Sequence, residues 1–202
     1  AASDVYKRQL VNGDVPVVTI DHVFNNRMAI LSDNVAGTKA LVQQAWACGH
    51  RRIAFIHGEK TSVTENRIAG FYQACEELGL EIPEEYVRDG VYHDVERCAE
   101  ETRALLALPQ RPTCIIFPDD FSALGGYNAL SEAGLSIPED ISVMGYDGIY
   151  LSRVVKPSLV TYQQNTKSLG RLAADKLIEL IEHPRVTLPC LLYTSDAADE
   201  AR

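Results

Sequence analysis

The side chain best placed for chemistry in this sequence is Asp147, which follows the apolar run 141–146 and precedes Gly148. Val143 and Met144 carry no polar atoms and belong within a sheet, so Asp147 is predicted just past the carboxyl end of a strand. Open parallel sheets bind their ligands at that edge. The alternative is a carboxylate that only stabilises a turn, since Asp and Gly are ordinary turn residues.

A second pair of carboxylates, Asp119 and Asp120, follows another apolar run. Together with Asp147 they could bind Mg²⁺ and support phosphoryl transfer. We favour the simpler interpretation that Asp119 or Asp120 caps the helix that follows, because Asp is common at helix starts.

The usual signatures of catalysis are absent from the sequence. The segment from Gly58 to Thr61 has one glycine, too few for a phosphate-binding loop. We find no G-x-S-x-G nucleophile motif, and the five histidines never fall at metal-ligand spacing. The sequence therefore predicts a binding protein without metal or cofactor, not an enzyme.

Short β-rich runs alternate with amphipathic stretches from Val15 onward. The strands are predicted at residues 15–20, 51–58, 86–91, 114–117 and 141–145, with an extended segment at 156–161. Helices are predicted near residues 35–48, 65–78, 94–106, 121–133 and 167–182. Three of these helices are followed by a glycine that permits a left-handed stop, at Gly49, Gly79 and Gly134. This alternation predicts an α/β fold with a parallel sheet and right-handed crossovers.

The composition argues against some classes of binding partner. The net charge of −9 and the isoelectric point near 5.0 argue against this polypeptide itself binding nucleic acid, which needs a basic surface. No apolar run is long enough to span a bilayer. The five cysteines contain no C-x-x-C pair and are interpreted as reduced core thiols, which favours the cytoplasm.

Four segments in combination resemble the effector-binding region of LacI/GalR (lactose/galactose-type) transcriptional repressors. They are GHRRIAFIHG, ENRIAGFYQACEELGL, CIIFPDDFSALGGYNALSEAGLSIPEDISVMGYD and PSLVTYQQNTKSLGRLAADKLIELI. The resemblance covers roughly residues 11 to 190. It implies the type I periplasmic-binding-protein-like architecture, with two α/β lobes and a small molecule in the cleft between them.

The resemblance also implies how the chain is divided. Residues 34–163 would form the C-terminal lobe, while residues 10–33 and 164–190 would form an incomplete N-terminal lobe. Residues 1–9 and 191–202 match neither the rhythm nor the chemistry of their neighbours, and we expect them to be non-native tails. A helix-turn-helix head would lie upstream, so this chain alone is not expected to bind operator DNA.

By position, Arg67 matches the effector-clamping arginine of the family, Asp147 the strand-end aspartate, and Tyr92 the aromatic that flanks the ligand. Four further matches are Asp21, Thr61, Asp119 and Gln164. Structural alternatives remain open: Arg67 could pair with a carboxylate on its own helix, Tyr92 could pack in a loop, and Gln164 could cap the last helix. The sequence Pro118–Asp119–Asp120 replaces the frequent Asn–Asp pair, which leaves the hydroxyl pattern of the ligand open.

The resulting hypothesis is a cytoplasmic, homodimeric repressor whose sugar or polyol effector controls operator binding. A periplasmic sugar-binding protein of a transporter is the alternative, because it uses the same two-lobe cleft. A magnesium-dependent phosphotransferase that uses Asp119, Asp120 and Asp147 is a more remote third hypothesis.

Overall fold

Apolar side chains lie on both faces of a five-stranded sheet. The computed structural model describes residues 15–24, 27–183 and 190–193 of the chain. Within one strand, Phe55 packs in one hydrophobic cluster and Ala54 and Ile56 pack in another. Because successive strand residues point to opposite faces, burial of all three requires helices on both sides of the sheet.

The described elements alternate in the expected way. The strands are β1 (Val18–Ile20), β2 (Met28–Ser32), β3 (Ile53–His57), β4 (Val87–Asp89), β5 (Cys114–Ile116), β6 (Ser142–Asp147), β7 (Val160–Gln163) and β8 (Leu191–Tyr193). The helices are α1 (Asn34–Ala47), α2 (Ser62–Glu77), α3 (Val95–Leu106), α4 (Ala123–Glu132), α5 (Leu151–Val154) and α6 (Thr166–Glu182). A short 3-10 helix at Glu84–Tyr86 precedes β4.

The chain forms two compact units, and the larger one is Asn34–Gln164. Its sheet has the strand order β4-β3-β5-β6-β7, and every pairing is parallel. Helices α1 and α2 pack on one face through Leu41 and Phe71, and α3 and α4 pack on the other through Leu105 and Leu130. The α/β parallel-sheet prediction is therefore confirmed.

The glycines predicted to end helices do so. Gly49, Gly79 and Gly134 have φ angles of 93°, 64° and 69°, in the left-handed region that glycine adopts without a Cβ penalty. Each follows closely on the last residue of its helix, so the predicted helix ends agree well with the structure.

The smaller unit is Ala1–Asp33 with Asn165–Arg202. Its described part holds the parallel sheet β1-β2-β8 and α6, with Met28, Ile30 and Leu169 in the core. Strand β2 was not predicted, because its Met, Ala and Leu residues favour helices. Strand β8 begins at the first residue of the segment expected to be a tail, and the origin of both ends stays a prediction.

The burial of the cysteines agrees only partly with the prediction. Cys75, Cys98 and Cys114 are buried, but Cys48 and Cys190 are exposed, so the core interpretation is wrong for these two. All five are free. Among the described residues, no helix has the length and apolar character that crossing a membrane requires.

We predict that Gly70→Ala destabilises the larger unit by about 1–3 kcal/mol. A Cβ on Gly70 of α2 would lie 2.4 Å from the backbone oxygen of Val35 in α1, so the two helices would have to separate. Urea unfolding followed by circular dichroism measures the change. The matched control is Gly170→Ala in α6, where a Cβ meets nothing within 4 Å and a gain of about 0.5–1 kcal/mol is expected. A Gly70→Ala chain as stable as the parent would contradict this packing.

Candidate functional site

Five of the seven residues predicted for the site lie at the ends of the five strands of the larger unit. The pairs of strand and residue are β3 with Thr61, β4 with Tyr92, β5 with Asp119, β6 with Asp147, and β7 with Gln164. Since all five strands are parallel, these ends share one edge of the sheet, here called the carboxyl edge. A sixth residue, Arg67, lies on α2 and reaches the same edge.

Arg67 is held from several sides although its side chain is charged and only 6% exposed. Its Nε donates to Asn34 Oδ1 at 2.9 Å, and its Nη1 donates to the carbonyl oxygen of Pro118 at 2.6 Å. Its guanidinium carbon lies 3.5 Å from the centre of the Tyr146 ring and 5.6 Å from that of Tyr92. Its partners come from other elements, so the interpretation as a surface ion pair within α2 is wrong.

Asp147 faces Arg67 across a short gap. Its Oδ1 lies 3.9 Å from Arg67 Nη2 and accepts a hydrogen bond from Gln164 Nε2 at 2.6 Å. Burial raises the pKa of the Asp147 carboxyl, whereas the nearby charge of Arg67 and the hydrogen bond from Gln164 lower it. Asp147 also has a φ of 105°, an unusual angle for a residue with a side chain.

Gln164 contacts Asp147 twice, because its backbone N–H also donates to the Asp147 carbonyl oxygen at 3.1 Å. The cap of α6 is supplied by Asn165, whose Oδ1 accepts from the backbone N–H of Ser168. The alternative that Gln164 caps the last helix is therefore wrong.

Asp119 lies at the same edge with almost no exposed surface. Its Oδ1 accepts from the backbone N–H of Ser122 at 2.8 Å, and its Oδ2 accepts from the Ser122 hydroxyl at 2.8 Å and the backbone N–H of His93 at 2.9 Å. Asp119 therefore closes the turn that precedes α4, whereas the N-cap residue of the helix is Ser122 and has no side-chain cap hydrogen bond, so the prediction that Asp119 or Asp120 caps this helix is wrong. The contact with His93 was not predicted, since nothing in the spacing of His93 distinguishes it from a structural histidine.

Tyr92 and Thr61 are joined through Thr64. The Tyr92 hydroxyl lies 2.9 Å from Thr64 Oγ1, and Thr61 Oγ1 accepts from the Thr64 backbone N–H at 3.2 Å as the cap of α2. The Tyr92 ring covers Gly58 so closely that a Cβ there would lie 2.2 Å from it. The ring of Tyr92 is thus fixed beside Arg67 at the carboxyl edge.

Asp21, the seventh predicted residue, belongs to the smaller unit. It follows β1 with a φ of 52°, and its carboxylate accepts from the backbone N–H of Ser32 at 2.6 Å and from the Ser32 hydroxyl at 2.8 Å. Within that unit it ties the end of β1 to the end of β2.

The carboxylates do not form a metal centre. In the parts of the chain that the structure describes, no three His, Cys, Asp or Glu side chains are grouped so that they could hold a metal ion. Asp120 points instead to Thr161 and to the backbone of Ile149. This geometry gives the phosphotransferase hypothesis no support.

Comparison with known proteins places this arrangement in a family. Residues 42–195 match the model of the periplasmic binding protein-like domain. The ribose operon repressor of Haemophilus influenzae is 35% identical over 177 residues, which are 84% of this chain and 52% of that protein. The transcriptional repressor PurR of the same species is 36% identical over 175 residues, or 84% of this chain and 51% of that protein. The chain spans about half the length of these curated relatives.

A solved structure agrees with the fold. A LacI family transcriptional regulator from Enterococcus faecium, with bound ribose, superposes with a TM-score of 0.81 at 26% identity, over 95% of this chain and 71% of that one. With the family match covering most of its length, the chain belongs to the periplasmic binding protein-like domain family, in the form that transcriptional regulators of the LacI/GalR type carry.

Proposed function

We propose that the carboxyl edge of the larger unit binds a small sugar or related polyol. The observation that carries this proposal is the gap of 3.9 Å between Arg67 Nη2 and Asp147 Oδ1, too long for a direct hydrogen bond. A hydroxyl placed against both groups can accept from Nη2 and donate to the carboxylate.

The surroundings of this gap suit a hydroxylated ring. Arg67 Nε and Nη1 already donate within the protein, so Nη2 keeps the donors that remain for a ligand. The Tyr92 ring beside the guanidinium offers an apolar face for the C–H surface of a sugar. These features together support a neutral ligand with several hydroxyls.

A buried carboxylate holds the turn that carries Asp147. Asp120 Oδ2 accepts from the Ile149 backbone N–H at 2.8 Å, and its Oδ1 accepts from the Thr161 hydroxyl at 2.6 Å. The same hydroxyl accepts from the Gly148 backbone N–H at 3.2 Å. The backbone N–H groups of Gly148 and Ile149 are therefore both held by hydrogen bonds. This stabilises the unusual φ of Asp147 and orients its carboxylate before a ligand binds.

At the level of the whole protein, we propose a cytoplasmic repressor in which effector binding changes operator affinity. Its relatives are a ribose operon repressor and a transcriptional repressor, and a related regulator holds ribose. These relatives favour a repressor over a transporter component.

The acidic chain would not contact DNA itself, so a helix-turn-helix elsewhere in the protein would do so. The effector can shift operator affinity only by its preference for one conformation.

A dimer is the assembly that would present two such heads to two half-sites. In the larger unit, Tyr150 and Val154 are 80% and 51% exposed and lie one helical turn apart at α5. Large exposed apolar side chains of this kind are common at subunit interfaces and support the proposal.

Asp147→Asn and Arg67→Lys are each expected to weaken effector binding about 10- to 100-fold. The first substitution removes a charged acceptor, and the second removes the planar group that the Tyr146 ring and Asn34 hold. Isothermal titration calorimetry with a panel of pentoses, hexoses and disaccharides, beginning with D-ribose, measures the change.

The matched controls are Asp140→Asn and Arg111→Lys, two exposed positions that precede β6 and β5 at the opposite edge of the same sheet. They should bind as the parent does. The proposal is wrong if the parent chain binds no member of the panel, or if both site variants bind as tightly as the controls.

The free energy of unfolding of the parent chain, relative to that of Asp120→Asn, is expected to increase as the pH falls from about 7 to about 5. Burial raises the pKa of the Asp120 carboxyl to about 6, against the hydrogen bonds from Thr161 and Ile149. In the unfolded chain it titrates near pH 4. Between these values the folded state binds more protons, so the free energy of unfolding rises as the pH falls. Urea unfolding of both chains at each pH measures the difference, and a constant difference would contradict the pKa.

Tyr150→Glu combined with Val154→Glu is expected to convert a dimer into the 22.3 kDa monomer. Two carboxylates cannot be buried at an apolar interface without a large desolvation cost. Light scattering after size exclusion measures the mass, with Tyr72→Glu, also an exposed aromatic position, as the control. A parent chain that is monomeric at every concentration would contradict the dimer.

A further inference from the structure

His93 occupies an unusual position at the carboxyl edge. It follows Tyr92 after β4, its φ is 58°, and 67% of its side chain is exposed. Left-handed backbone at a residue with a Cβ costs free energy and concentrates at functional sites. The ring is therefore presented to solvent at some cost, beside the aromatic residue proposed to flank the effector.

The backbone of His93 is held by Asp119, and three of the four acceptor positions of that carboxylate are occupied. Its two oxygens accept from the backbone N–H and hydroxyl of Ser122 and from the backbone N–H of His93. The Nδ1 atom of His93 lies 3.4 Å from Asp119 Oδ1, within ion-pair distance. The Asp119 side chain is only 1% exposed. An effector at this edge would therefore meet the exposed ring of His93 before it meets Asp119.

The orientation of the ring decides which atom an effector meets. A carboxylate next to Nδ1 favours the tautomer with its proton on that nitrogen, which leaves Nε2 as an acceptor. The Phe121 ring meets the imidazole edge to face, with centroids 5.9 Å apart and planes at 88°. Both contacts favour one orientation of the imidazole.

We infer that His93 is a specificity-determining residue whose Nε2 accepts a hydrogen bond from one hydroxyl of the effector, and that Asp119 is its positioning residue. The inference rests on the proposed function and deepens it. The site would then combine a donor and acceptor pair, Arg67 with Asp147, with a further acceptor at His93. It would select a polyol with a hydroxyl at that point over the corresponding deoxy compound.

The test is a binding comparison in the full chain. Each sugar of the panel that binds the parent chain is titrated, together with its monodeoxy derivatives, into the parent and into His93→Ala. We expect His93→Ala to weaken binding of the complete sugar about tenfold. For the derivative that lacks the hydroxyl facing His93, the same substitution should weaken binding less than twofold. His183→Ala, an exposed histidine at the end of α6, is the control and should bind as the parent does.

The substitution Asp119→Asn tests whether Asp119 positions the His93 ring or only stabilises the fold. An asparagine in its place cannot accept from all the donors that Asp119 serves, so the Nδ1–H tautomer of His93 should lose its preference. Nitrogen-15 spectra of the histidine rings at about pH 8 report the tautomer, with the His93 signal assigned by its absence in His93→Ala. A tautomer that Asp119→Asn leaves unchanged would overturn the positioning role, because loss of stability alone does not move it.

The outcomes also distinguish the two proposals. If no panel sugar binds the parent chain, the proposed function fails and the role of His93 fails with it. If sugars bind the parent and Asp147→Asn weakens them, but His93→Ala binds every sugar and deoxy derivative as the parent does, only the role of His93 is overturned. A selective loss for one hydroxyl supports both.

Discussion

The buried guanidinium of Arg67 is the interaction on which the carboxyl edge depends. A charge removed from water is costly unless its environment compensates it. Here the compensation comes from α1 through Asn34, from the segment after β5 through Pro118, and from β6 through the Tyr146 ring. Since α2 supplies Arg67 itself, one side chain fixes the relative positions of four elements.

This compensation is incomplete on one side, and the incompleteness creates the site. Asp147 is the carboxylate nearest to the free end of the guanidinium, yet it stands 3.9 Å away while Gln164 occupies the same oxygen at 2.6 Å. Burial raises the pKa of Asp147 while Arg67 and Gln164 oppose that rise, so a further donor to this carboxylate would be favourable. A neutral ligand with hydroxyls can provide that donor without bringing another charge into the site.

The parts of this arrangement that follow from local chemistry could be predicted from the sequence. A run of apolar residues that ends in Asp–Gly indicates a strand end, and glycines after amphipathic runs indicate helix stops, because both depend on neighbouring residues alone. Strand β2 could not be predicted in this way, since its residues favour helices and only pairing with β1 and β8 makes them a strand. Arg67 was suggested by the resemblance and not by periodicity. His93 was missed because its partner, Asp119, is 26 residues away in the chain.

The same geometry suggests how a ligand could act beyond its own contacts. Asp147 is separated by two residues from Tyr150, at the start of α5, and Asp120 fixes the backbone N–H of Ile149 between them. A ligand that pulls the Asp147 carboxylate toward Arg67 therefore works against a turn that Asp120 and Thr161 hold. If the turn yields, α5 moves with it, together with the apolar side chains proposed for the dimer interface. If it does not yield, the ligand gains affinity from a preorganised site but transmits nothing. The strength of the hydrogen bonds around Asp120 would thus set the balance between tight binding and allosteric response.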